Sequence, residues 1–79
     1  MIEKTQSLHS LQFDPLYWED PYPIALALRH LYPTTDPTEI SLETLQHWVI
    51  ALKEFADDKE AMPIERLEEI QVEWIEICN

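Results

Sequence analysis

Apolar residues recur at helical spacing in three stretches of this chain, and six prolines, with no glycine anywhere, mark where those stretches begin and end. The first runs from Asp20-Pro21 to Pro33 and places Ile24, Leu28 and Leu31 at i, i+4 and i+7, one face of a helix. Asp20 suits an N-cap, Pro21 gives up an N–H that the first turn does not need, and Pro23 still falls within that turn. Pro33 stops the helix near Tyr32. The second stretch starts at Ser41, a capping hydroxyl with Glu43 in the positive first turn, and its wide apolar stripe is Leu42, Leu45, Trp48, Val49, Leu52 and Phe55. The third begins near Pro63 and turns Ile64, Leu67, Ile70, Gln71, Trp74 and Ile77 inward.

The connections are short. Thr34-Thr35-Asp36-Pro37 reads as a turn with Thr38–Ile40 extended after it, and Asp57–Glu60 links the second and third helices. Leu16, Tyr17 and Trp18 form an extended piece, because the residues before Pro15 and Pro21 avoid the helical region. The two extended pieces, around Tyr17–Trp18 and around Ile40, are expected to pair beside the helices. Residues 1–13 show no clear period, so 1–15 is expected to be an N-terminal extension and 16–79 a single domain. The predicted fold class is mainly α: a small three-helix domain, winged-helix-like, with one or two short extended segments. Trp48, Phe55 and Trp74 are predicted to meet in its core.

Seventy-nine residues suffice for one domain and bury about 60–65% of the unfolded surface, so the core must be small and aromatic. Three Trp and three Tyr within a 46% hydrophobic composition exclude a disordered acidic tail. The single cysteine, Cys78, excludes an intrachain disulfide. It is either a small packing residue or part of a frayed end. No apolar run is longer than Ile24–Leu28, far short of the roughly 20 residues a membrane span needs, and residues 1–13 lack a secretory h-region. A cytoplasmic location is expected by elimination. His9, His30 and His47 stand in no metal-ligand spacing, and neither a phosphate cradle nor a Ser-His-Asp order is present, so the chain is not expected to be an enzyme.

Charge sharpens this picture. Of a net −11, residues 54–79 carry −7, from nine acids against Lys59 and Arg66. Such a balance excludes nucleic acid and anionic membrane as direct partners, and leaves basic protein surfaces and cations. Glu65, Glu69, Glu73 and Glu76, with Glu68 beside them, share one helix face, where like charges at i, i+4 repel by about 0.2–0.5 kcal/mol per pair. That face is either a solubilising surface or a docking surface. Asp57, Asp58 and Glu60, with Glu54, either supply oxygen ligands to a hard cation or form an ordinary charged loop; the spacing is not that of an EF-hand.

Across its length from Trp18 onward the chain carries an ordered set of landmarks: Trp18 with Asp20, Leu31-Tyr32-Pro33, Asp36-Pro37, His47-Trp48, Leu52, Phe55-x-Asp57-Asp58, Ala61, Leu67, Ile70 and Trp74. In these it resembles the IscX family, small acidic accessory proteins of bacterial iron–sulfur cluster assembly. The resemblance implies a small helical domain related to the winged helix, binding to the PLP enzyme cysteine desulfurase, weak iron binding through exposed acids, and overlap with bacterial frataxin. From the charge pattern, the desulfurase contact is expected at Asp57, Asp58, Glu65, Glu68, Glu69, Glu73 and Glu76, and iron at Glu54, Asp57, Asp58 and Glu60. A monomer is expected. The chain departs from the family at Ala56, where an Asp is usual, at Lys59, where a Pro is usual, and at Met62-Pro63, which replaces a polar helix cap; the segment before Leu16 has no counterpart in the short members. The alternative reading is an acidic DNA mimic occupying the basic groove of a nucleic-acid-binding protein. Mimicry needs only charge spacing, so the ordered landmarks favour the first reading.

Overall fold

Each helix starts where a proline or a hydroxyl settles its first turn. In the computed structural model, which describes residues 15–78, α1 spans Pro21–Leu31, α2 Leu42–Ile50 and α3 Ile64–Cys78, with a 3-10 turn at Pro37–Glu39. The expected N-terminal extension thus lies, apart from Pro15, outside the described residues. Those residues contain three helices and no β-strand, so the mainly helical fold class holds.

Asp20 precedes α1 at the N-cap position, but its side chain makes no capping hydrogen bond. A cap side chain accepts from the second or third N–H of the helix. Here the third position is Pro23, which has none, and Pro21 has already removed another free donor. At the other end Tyr32 N donates to Leu28 O at 2.8 Å, and Arg29 and His30 sit in the last turn, where cations suit the helix dipole. The buried face is Ile24, Ala25 and Leu28. Leu31, expected on that face, is instead 56% exposed. Ala25 is small enough to bring α1 close to α3, its main packing partner, and the contact face is centred toward Ala25 and away from Leu31.

Thr38–Ile40 is not extended as expected. The Asp36 side chain accepts from Thr38 N at 3.0 Å and from Thr38 Oγ1 at 2.7 Å, which winds Pro37–Glu39 into the 3-10 turn and leaves only Ile40 extended. The Thr38 hydroxyl first, and the Thr38 N–H second, hold the Asp36 carboxyl below its ordinary value of 3.8. A carboxylate with a lowered folded-state pKa contributes its stability above the unfolded value, and loses it as pH falls through the lower folded value. An NMR titration of Asp36 should therefore have its midpoint below 3.8, and Thr38→Val should move it upward. An unmoved midpoint would show that Thr38 is not the cause.

Ser41 caps α2 as predicted, its hydroxyl accepting from Thr44 N at 3.1 Å. The helix ends at Ile50, however, and does not carry the stripe on to Phe55. Leu52 and Phe55 reach the core from successive turns, with Leu52 N donating to Val49 O and Phe55 N to Leu52 O. The chain then pairs with the N-terminal piece: Leu16 N donates to Glu54 O and Ala56 N donates to Leu16 O, both at 2.9 Å, a single parallel bridge between Leu16 and Phe55. The expected pairing with Ile40 does not form. The Ile40 and Pro37 carbonyls are taken by the Gln71 amide of α3, at 3.1 and 2.8 Å.

On α3 the residues Leu67, Ile70 and Trp74 are buried, Gln71 and Ile77 are partly covered, and Ile64, expected inside, is exposed because the first turn projects past the core. Trp48, Phe55 and Trp74 do not form one aromatic trio. Trp48 is half-buried, stacks on Tyr32 with ring centroids 4.2 Å apart, and meets Trp74 at a tilt at 6.4 Å. Phe55 packs instead against the edge of Trp18 at 4.8 Å. Both aromatic groups belong to one hydrophobic cluster.

Candidate functional site: an acidic loop and helix face

The loop between α2 and α3 is held from two sides. Trp18 N donates to Asp57 Oδ2 at 3.0 Å, and Trp18 Nε1 donates to Asp58 O at 2.9 Å. From α2, the Gln46 amide donates to the Lys59 and Ala61 carbonyls at 3.3 and 3.2 Å. Gln46 is a polar side chain among the core residues, and this is where its donors go. The loop acids also cap their own backbone: Asp57 Oδ1 accepts from Asp58 N at 2.7 Å, and Asp58 Oδ1 accepts from Glu60 N at 2.9 Å.

That use of the carboxylates bears on the expected cation site. Both oxygens of Asp57 and one of Asp58 already accept backbone N–H groups. Among the described residues no group of three His, Cys, Asp or Glu side chains converges as a metal ion would require. Asp57 and Asp58, two of the four acids expected to offer oxygen ligands, thus engage carboxylate oxygens with backbone N–H groups. The reason is competition: in a loop without glycine, turn N–H groups need acceptors, and short Asp side chains are the nearest ones.

The second part of the expected site is a continuous surface. Glu65, Glu68, Glu69 and Glu76 are exposed on α3, and Glu73 is partly covered at its edge. Arg66 Nη1 pairs with Glu69 Oε1 at 3.0 Å, an exposed i, i+3 contact of the kind worth less than about 1 kcal/mol. In the middle of the acids stands Val72, 51% exposed, four residues from Glu68 and Glu76 and three from Glu69. Residues at these spacings are surface neighbours on a helix. The sequence pattern alone did not single out Val72, Gln46 or the hydrogen bonds of Trp18. Val72 interrupts an otherwise acidic face, which is its one visible signal.

Fold and surface together define a small acidic three-helix domain whose longest helix presents carboxylates around one exposed aliphatic residue. Among the described residues no helix is long and apolar enough to cross a membrane. The sequence profile of the family described as iron–sulphur cluster assembly matches residues 16–79, beginning at the Leu16 that bridges to Phe55. An uncharacterized protein of Pseudomonas aeruginosa is 39% identical over 61 residues, which span 77% of this chain and 92% of that relative. The chain belongs to the iron–sulphur cluster assembly family, the IscX family that its landmarks resemble. Its place is accordingly in the assembly of iron–sulfur clusters.

Proposed function

We propose that the protein is a non-catalytic, cytoplasmic accessory protein of iron–sulfur cluster assembly that binds cysteine desulfurase, as a monomer, through the α3 face and the loop before it. The observation that carries this reading is the one-sided surface of α3, where Glu65, Glu68, Glu69 and Glu76 are all exposed around Val72. A field of this sign draws a basic surface from a distance and speeds association, while the apolar centre has water to lose on contact. Frataxin, if drawn to the same basic patch, would compete for it.

Charge reversal of Glu65 and Glu69 to Lys is expected to slow association with the desulfurase by at least tenfold at low salt. It should leave the fold intact, because both side chains are exposed. The difference should shrink as added salt shortens the Debye length toward about 8 Å and below. A titration of the desulfurase with wild type and double mutant at two salt concentrations measures both effects. Salt-independent affinity, or equal binding by the mutant, removes this surface from the mechanism.

Iron enters this reading as cargo, attracted by the field and held by single exposed carboxylates without a preformed centre. Ferrous iron should therefore broaden NMR signals along α3 as well as in the loop, and Asp57→Asn with Asp58→Asn should leave the α3 broadening in place. Complete loss of broadening in that variant would return the ion to a site in the loop.

A further inference from the structure

α1 has a charge unlike the rest of the molecule. Its 11 residues include no Asp or Glu, although 16 of the chain's 79 residues are acidic, and its last turn carries Arg29 and His30. Since Ile24, Ala25 and Leu28 are buried, the opposite face of the helix turns outward. On that face Tyr22 is 52% and Leu26 41% exposed, and Leu26, Arg29, His30 and Pro33 line an open cavity of about 410 Å³. A leucine and a tyrosine left in water one turn apart, next to a guanidinium, form an apolar floor with a cationic edge.

The strongly negative field of α3 does not cancel that edge. Packed helix axes lie about 8–10 Å apart and each helix is about 10–12 Å across with its side chains, so the outward faces of α1 and α3 are separated by roughly 20 Å. That is more than twice the Debye length of about 8 Å at physiological ionic strength. In sequence the acids nearest Arg29 are Asp36, whose carboxylate is engaged by the Thr38 N–H and hydroxyl, and Asp20 at the far end of α1.

We propose that the outward face of α1, formed by Tyr22, Leu26, Arg29, His30 and Pro33, docks an acidic amphipathic segment of a second protein, which seats an aliphatic side chain in the cavity and a carboxylate on Arg29. Guanidinium matches carboxylate in a two-pronged hydrogen-bonded geometry, and the aliphatic contact supplies the apolar burial that an exposed ion pair lacks. The site goes beyond desulfurase docking. It makes the chain two-faced, with a basic partner on α3 and an acidic one on α1.

The test uses the full-length, isotope-labelled protein and a synthetic amphipathic peptide that repeats Leu and Glu at helical spacing, with a twin in which every Glu is Gln. Chemical-shift changes should centre on Tyr22, Leu26, Arg29 and His30, and the Gln twin should bind at least tenfold more weakly at low salt. Arg29→Glu and Leu26→Ser should each weaken peptide binding at least tenfold with the amide spectrum of the core unchanged, while the Glu65→Lys, Glu69→Lys variant should bind no more weakly than wild type. Shifts that centre on α3, equal binding of both peptides, or an Arg29→Glu variant that binds as wild type would each overturn the proposal. Shifts at the α1 face that grow with protein concentration alone would assign it to a second copy of this chain, and would overturn it too. None of these outcomes depends on the desulfurase, so this inference and the α3 reading fail separately.

Discussion

Trp74→Ala is expected to remove a large part of the domain's stability. Trp74 is fully buried on α3 and touches Trp48 on α2. Removing a buried tryptophan costs about 3–5 kcal/mol, through lost transfer energy and the cavity left behind. At about 0.05–0.15 kcal/mol per residue, a domain of this size has about 4–12 kcal/mol in all. Far-UV circular dichroism during a thermal melt should show the midpoint falling by at least about 12 °C, given roughly 4–8 °C per kcal/mol for domains of this length. Trp74→Phe is the informative companion. The indole Nε1 is buried with no hydrogen-bond partner among the described residues, a deficit of about 1–3 kcal/mol that phenylalanine would remove while keeping much of the apolar area. Its melt should stay close to wild type. An alanine variant that melts within a few degrees of wild type would refute the placement of Trp74 at the centre of the core.

Trp18→Ala carries the second-largest expected effect, and a different signature. The side chain is buried, packs edge-on against Phe55, and donates its indole N–H to Asp58 O. Its loss costs about 3–5 kcal/mol by the same packing argument. It also releases the acidic loop, because the Asp58 carbonyl loses its donor and the Leu16–Phe55 bridge loses the side chain that presses it onto the core. Trp18→Phe should retain the contact with Phe55 and forfeit mainly the hydrogen bond, about 1–3 kcal/mol when the partner left behind is partly buried. Hydrogen exchange separates the two sites: Ala56 and Asp58 amides should exchange faster in both Trp18 variants, and no faster in Trp74→Phe. Unchanged protection of the loop in Trp18→Phe would mean that the indole bond does not hold it.

The acids of the loop are legible in the sequence, but the partners of their carboxylates are not. Asp57 and Asp58 are acidic and adjacent, and nothing within several residues of them reveals that Trp18 N will arrive at Asp57 Oδ2 from 39 positions away. Once it has, the carboxylate serves as a backbone acceptor, and the loop's negative charge is displayed by a fixed scaffold. The acids of α3 were legible because exposure on a helix follows from the 3.6-residue period once Leu67, Ile70 and Trp74 define the inner face.

Interactions that close within about four residues were thus determined by the sequence alone. The prolines at 21, 23, 33 and 63 bound the helices, Ser41 caps α2, and the apolar periods select Ile24 and Leu28, Leu45 and Val49, and Leu67, Ile70 and Trp74 for the core. Only the tertiary structure decided where α2 stops, which residue Leu16 pairs with, and that Leu31 and Ile64 face water. In each case the competing local conformations differ by little, and a distant partner tips the balance. Leu52 and Phe55 bury their side chains from turns as effectively as a longer helix would, and the bridge to Leu16 is available only if the helix has already ended at Ile50. The charge contrast between α1 and α3 was present in the sequence from the start. Which residues of each helix were left exposed followed from the packing of one helix on the other.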